Sequence, residues 1–258
     1  MALDSSDPVL VPLSSLDVPT RGRRLGPIRV VATDVDGTLT RHGALDPEVV
    51  RVIAALTAAG VEVVPISGRP AGEVLGLCRY LPGVTRAIAE NGLLEVIPDR
   101  PPRWLAEPTD QAQLRAAGER LDPGLRLAPD HPFRLGDVAY ERDGRGQEEL
   151  QRLRDEAAAL GVCMIWSSVH VHLTPQPPDK GQGLLRFASD HGLEPATILT
   201  IGDAPNDEGL FRPGRFGVTV GTADVPSQRA AFRFLPAYVT EGGEAEGFLE
   251  VAAALLHR

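Results

Sequence analysis

Short, largely apolar, β-branched runs alternate with stretches of helical period along the first hundred residues. Residues 28–32 and 61–66 read as buried strands. Between them Asp46 and Pro47 form a helix start, Val49, Val50, Ile53, Ala54 and Leu56 share one face, and Gly60 ends the helix. Pro70 opens a second helix through Val74, Leu75 and Leu77, and residues 87–89 predict a third strand. This strand–helix alternation predicts a parallel sheet with right-handed crossovers.

Prolines and arginines at 98–108 break the rhythm. The pattern then predicts a helix at 109–121, a strand at 133–140, a helix at 147–160, and strands at 162–166 and 169–174. Such a succession suits a small α+β unit on an antiparallel sheet. After Pro175-Gln176-Pro177-Pro178 the alternation resumes. It predicts a helix at 179–191, strands at 197–201 and 216–220, a short helix at 206–211, a strand at 232–235 and a last helix at 243–257. The expected organisation is an α/β core of residues 27–107 and 175–258, interrupted by an inserted α+β cap of residues 108–174. Residues 1–26, rich in Ser, Pro and Asp and basic at Arg21, Arg23 and Arg24, lack periodicity and predict a loose tail.

Composition narrows the classes. The 258 residues are 43% hydrophobic, enough for one large domain or two modest ones, and the net charge of −9 disfavours nucleic acid or an anionic membrane as partner. No run is long enough to span a bilayer, and acids precede any apolar stretch at the N-terminus, so neither an anchor nor a signal peptide is expected. The two cysteines, Cys78 and Cys163, lack metal or redox spacing. The expectation is an intracellular, cytoplasmic protein with free thiols.

The chemistry gathers at strand ends. Asp34 and Asp36 follow the first strand directly, and Gly37 frees the backbone to turn. Acids beyond an apolar strand lie at the carboxyl edge of a sheet, where open α/β folds bind ligands. Two acids so close repel unless a cation or a shared proton relieves them. An Asp-Gly hairpin turn is the plainer reading, but three further pieces answer this one. Ser67 follows the second strand, Lys180 opens the helix after the inserted unit, and Gly202-Asp203-Ala204-Pro205-Asn206-Asp207 follows the strand at 197–201.

Each piece alone is ordinary. Ser67 is a common turn residue, Lys180 sits at the helix end that cations avoid, and Asp203 and Asp207 can be loop caps. As an ordered set they suit phosphoryl transfer. Asp34 can attack phosphorus, and Asp36 can protonate the leaving oxygen and then activate water. Asp203 adds a carboxylate that suits a hard cation, Mg²⁺ first. Ser67 and Lys180 offer a hydroxyl and a point charge to phosphate oxygens.

From residue 28 onward the chain resembles the haloacid dehalogenase superfamily of phosphohydrolases. Asp34-Val35-Asp36-Gly37-Thr38 is similar to its first motif, Ser67 to the second, Lys180 to the third and the 202–207 run to the fourth. The place of the insertion resembles the subgroup with a type C2 cap, which includes sucrose-phosphatase-like and mannosyl-3-phosphoglycerate-phosphatase-like enzymes. The resemblance implies a metal held by Asp34, the carbonyl of Asp36 and Asp203, with Asp207 in support. It implies substrate contacts at Gly37, Thr38, Gly68, Arg69 and Asn206. The expected activity is Mg²⁺-dependent hydrolysis of a small phosphorylated metabolite, a sugar phosphate or a phosphoglycerate-type ester, through an aspartyl-phosphate. The alternatives are a phosphomutase of the phosphomannomutase type, whose arginine-rich cap signature is not found here, and a silent sugar-phosphate-binding module.

Arg69, Glu90 and Asn91 are further candidates to touch the leaving group. In the insertion, 133–137 and Ser168, His170 and His172 are candidates to face substrate. A plain polar strand face, a zinc pair at the histidines and a structural Arg134–Asp137 pair stand beside that reading.

Overall fold

The computed structural model describes residues 10–166 and 170–258. In chain order its first elements are β1 (Val11–Pro12), α1 (Val18–Leu25), β2 (Val30–Thr33), β3 (Thr40–Arg41), β4 (Ala44–Leu45), α2 (Pro47–Ala58) and β5 (Glu62–Pro65). There follow α3 (Ala71–Tyr80), β6 (Ala87–Ala89), β7 (Leu94–Val96), β8 (Arg103–Trp104), α4 (Gln111–Leu121), β9 (Val138–Glu141), α5 (Gln147–Ala159), β10 (Cys163–Trp166) and β11 (His170–Thr174). The last are α6 (Lys180–Asp190), β12 (Ile198–Gly202), α7 (Glu208–Phe211), β13 (Val218–Gly221), β14 (Tyr238–Val239) and α8 (Glu244–Leu256). The chain divides into two compact units, one of residues up to Pro65, Leu81–Val84 and Ala188–Arg258, the other of Ile66–Tyr80 and Thr85–Phe187.

The first unit is built on a six-stranded sheet in the order β1-β14-β13-β12-β2-β5, with every pairing parallel. β2 and β12 are buried along their whole length, as strands covered on both faces must be. α2 starts where Asp46 accepts the Glu48 amide at 2.7 Å and Pro47 presets the backbone. Its Val49, Ile53 and Leu56 are buried, and it packs on α8, which buries Phe248, Val251 and Leu255. A fully buried Leu, Ile or Phe stabilises by about 1.5–3 kcal/mol, so this layered core carries the unit.

The second unit holds two antiparallel sheets, β6-β7-β8 and β10-β11-β9. α4 and α5 close the latter over Leu114, Leu150, Leu153, Val138, Met164, Val171 and Leu173. Ser168 lies outside the described residues.

Three expectations need correction. Residues 11–25 are ordered: β1 adds to the sheet edge beside β14, Leu13 and Leu25 are buried, and Asp17 caps α1 by accepting the Thr20 amide at 2.8 Å. Arg23 and Arg24 fall in the last turn of α1, where cations complement the helix dipole. Residues 87–89 keep only one parallel bridge, Ile88 to Ile66, and otherwise open an antiparallel hairpin, because Glu90, Asn91 and Gly92 all take positive φ (53°, 57° and 99°) and reverse the chain. Residues 232–235 form no strand. Their rings find other partners, Phe232 lying 6.1 Å from Phe211 and Phe234 beneath the Arg212 and Arg233 cations.

Candidate active site

In the first unit the register of two strands makes the site. β2 and β12 pair in parallel with Thr33 opposite Ile201, so the residues just beyond them, Asp34 and Asp203, emerge side by side. The Asp34 amide donates to the Ile201 carbonyl at 2.9 Å, which extends the ladder to the acid itself. Asp207 ends a short turn after β12, and its carboxylate accepts the Asp203 amide at 3.0 Å and the Ala204 amide at 3.2 Å. Asp34, Asp203 and Asp207 each offer an oxygen within 4.8 Å of the others, the one such cluster among the described residues.

Three carboxylates at that distance, two of them buried, repel by a few kcal/mol per pair even at an effective dielectric of about 20. An all-oxygen set of this charge fits a hard divalent cation. The loop before it is shaped to the cluster. Gly37 has φ +81°, and a Cβ there would stand 2.6 Å from an Asp203 carboxylate oxygen, so only glycine fits. Thr38 is fully buried and donates its hydroxyl to Asp203 Oδ1 at 3.1 Å. The Gly37 amide donates to Thr40 Oγ1 at 2.9 Å, which closes the turn. The Asp36 side chain and Asn206 are exposed, and Asp36 is not in the carboxylate cluster.

The second unit carries Ser67, Gly68, Arg69 and Lys180. The Ser67 amide donates to Ile88 O at 2.9 Å, its carbonyl accepts the Asn91 amide at 2.9 Å, and its hydroxyl accepts the Arg69 amide at 3.0 Å. The Glu90–Gly92 turn packs on the start of α6: a Cβ at Gly92 would stand 3.1 Å from Lys180 Cα. Ser67, Asn91 and the buried Lys180 are thus neighbours through one turn.

The family relationship fits this arrangement. Residues 114–254 match the sucrose-6F-phosphate phosphohydrolase family. The phosphoglycolate phosphatase of Methanoculleus marisnigri is 31% identical over 230 residues, covering 86% of this chain and 94% of that protein. The chain belongs to the haloacid dehalogenase superfamily of phosphatases. A second phosphoglycolate phosphatase, from Natronomonas pharaonis, is 32% identical over 226 residues, covering 85% of this chain and 94% of its own. A Thermoplasma acidophilum crystal structure shares the fold with TM-score 0.75 at 21% identity, covering 90% of this chain and 99% of that one. The sucrose-phosphatase of Synechocystis, solved with sucrose and phosphate, does so with TM-score 0.67 at 18% identity, covering 88% and 97%.

As a haloacid dehalogenase-type phosphatase the protein is a phosphoric monoester hydrolase. Its second unit also contains a buried ionic cluster that sequence reasoning reached only in fragments. Asp137 lies 2.7 Å from His172 Nδ1 and accepts from Arg134 Nη1 at 3.2 Å, and Arg134 Nη2 donates to Asp130 at 2.6 Å. So Arg134 and Asp137 are the structural pair, and His172 commits its Nδ1 to Asp137. Glu90 is buried and accepts amides from Ala71 and Leu135, at 3.1 and 3.0 Å, and from Gly136. Burial, and then the Asp137 charge, push the Glu90 carboxyl above its ordinary value, against those three amides. Burial acts the same way on Asp137, but the bond and charge of His172, then Arg134, outweigh it and hold that carboxyl low. An acid followed by Asn-Gly, 90–92, was the signal for this turn.

Proposed function

We propose that this phosphatase hydrolyses a small phosphorylated metabolite through a phosphorylated Asp34. The observation that carries the reading is the meeting of Asp34, Asp203 and Asp207 at the ends of two parallel-paired strands. Short phosphorylated acids of the phosphoglycolate and phosphoglycerate kind come first as substrates, because the relatives at about 30% identity are named phosphoglycolate phosphatases. Sugar phosphates come second, on the family match.

Asp34, Asp203 and Asp207, with the Asp36 carbonyl that the resemblance implies, would hold Mg²⁺. Bound there it supplies the positive charge that lets an anionic carboxylate meet an anionic ester. The Asp34 carboxylate attacks phosphorus, and the bond to the ester oxygen breaks. Asp36 gives that oxygen its proton. Water then attacks the acyl phosphate, Asp36 takes a proton from it, and inorganic phosphate leaves with Asp34 restored. Ser67 and Lys180 are assigned hydroxyl and cation contacts to phosphate, Gly37, Gly68, Arg69 and Asn206 line the substrate, the buried Thr38 acts through Asp203 rather than on substrate, and choice among esters is assigned to the segment 108–174. The free thiols of Cys78 and Cys163 suit a reducing cytoplasm.

The test is release of inorganic phosphate from phosphoglycolate, phosphoglycerates, sucrose 6-phosphate and other sugar phosphates, with Mg²⁺ and with EDTA. Turnover of a short phosphorylated acid that EDTA abolishes is expected. Turnover unaffected by EDTA, or none of any ester, overturns the reading.

A further inference from the structure

We propose that Arg134, 66 residues away in sequence from Gly68, is a positioning residue for Ser67. The proposal rests on the reading of Ser67 as a phosphate contact and adds the group that aims it.

A peptide unit is one rigid plane in which the carbonyl oxygen and the next residue's N–H point in opposite directions. The plane between Gly68 and Arg69 makes two bonds. On one side its N–H, that of Arg69, donates to Ser67 Oγ at 3.0 Å. On the other its oxygen, that of Gly68, accepts from Arg134 Nη1 at 3.1 Å. Holding the oxygen therefore holds the N–H on the serine. Glycine places little restraint on the plane that follows it, so the restraint must come from outside. With one lone pair taken by Arg69, the Ser67 hydroxyl keeps its proton to donate to a phosphate oxygen.

Arg134 is itself immobilised. Its side chain is 3% exposed, Asp137 and Asp130 hold its two terminal nitrogens, and Glu90 binds the amides of the next two residues, Leu135 and Gly136. Glu90 also takes the Ala71 amide at the start of α3, so the 134–136 segment and the 67–71 loop share one buried carboxylate. Both terminal nitrogens of the guanidinium are already paired with carboxylates, so this cluster does not present a cation to substrate. Its order goes instead into the Gly68 carbonyl.

A purely structural ion pair and a positioning residue differ in how they couple to Ser67. The competitive inhibition constant of inorganic phosphate is measured for wild type, Ser67→Ala, Arg134→Lys and the double variant. Being an affinity, it reads only folded molecules. Ser67→Ala is expected to raise it at least about tenfold, as loss of a bond to a charged group does. Lysine keeps the charge but lacks the fork that reaches Gly68, Asp130 and Asp137 together, so Arg134→Lys is expected to raise it several-fold. The double variant is expected to match Ser67→Ala alone. No change in Arg134→Lys, or losses that multiply in the double variant, overturn the proposal while leaving Ser67 its role. No change in Ser67→Ala removes the reading beneath it. Should Arg134→Lys not fold, Asp130→Asn at the more exposed end of the cluster replaces it. A smaller rise that vanishes in the Ser67→Ala background is expected, and an unchanged constant overturns the proposal.

Discussion

The Thr38 hydroxyl donates to Asp203 Oδ1 at 3.1 Å across 165 residues of sequence. That bond aims one carboxylate of the cluster. Groups that orient a ligand in this way typically matter by about 10–100-fold in metal affinity. Thr38→Val, nearly the same shape, is expected to weaken Mg²⁺ by that order in a metal titration of activity. An unchanged midpoint would count against the role.

Asp207 serves the fold before it serves any metal. It is fully buried and accepts the amides of Asp203 and Ala204. Asp207→Ala should therefore be less stable than Asp207→Asn by about 1–3 kcal/mol by urea unfolding in EDTA, since both remove the charge but only asparagine keeps an acceptor for the two amides. A loss seen only when metal is present would mean that the turn does not need this carboxylate.

Strand runs such as 28–32 and 197–201 were legible because their buried positions are apolar and largely β-branched, Thr200 being the one buried polar residue of the two. The meeting of Asp34 with Asp203 was legible only as an ordered motif, since the register that joins them is set by β2 against β12. The edge pairing of Val11 with Tyr238 left no local signal: two exposed residues in a Ser- and Pro-rich stretch gain a partner from the far end of the chain. Arg134 could be seen as half of an ion pair, but its bond to Gly68 is tertiary and has no period to betray it.

Asp36 is the exposed acid of the pair. As proton donor to the leaving oxygen it is worth about 10²–10⁴-fold for poor leaving groups. Asp36→Asn should lose that much turnover on alkyl phosphates and much less on aryl phosphates, whose oxygens leave without help. Equal losses on both would assign Asp36 another task.

Glu90 gives the pH dependence a definite sign. Its carboxyl in the folded protein lies above the ordinary 4.5, so as pH rises past 4.5 the unfolded chain ionises first. The unfolded state then binds fewer protons, and the group's contribution to stability falls as pH rises towards the folded value. Glu90→Gln does not titrate. The stability of wild type relative to this variant should fall through that window in urea melts taken at successive pH. A flat or rising difference would contradict the raised carboxyl.

The nucleophile is the centre of the account, and rapid acid quench followed by peptide mass analysis tests it most directly. During turnover of a phosphorylated acid with Mg²⁺, one phosphoryl group should appear on the peptide containing Asp34, decay on chasing, and be absent from Asp34→Asn, which should release no phosphate. Asp34→Asn turning over as fast as wild type, or an adduct on any other residue, would contradict it.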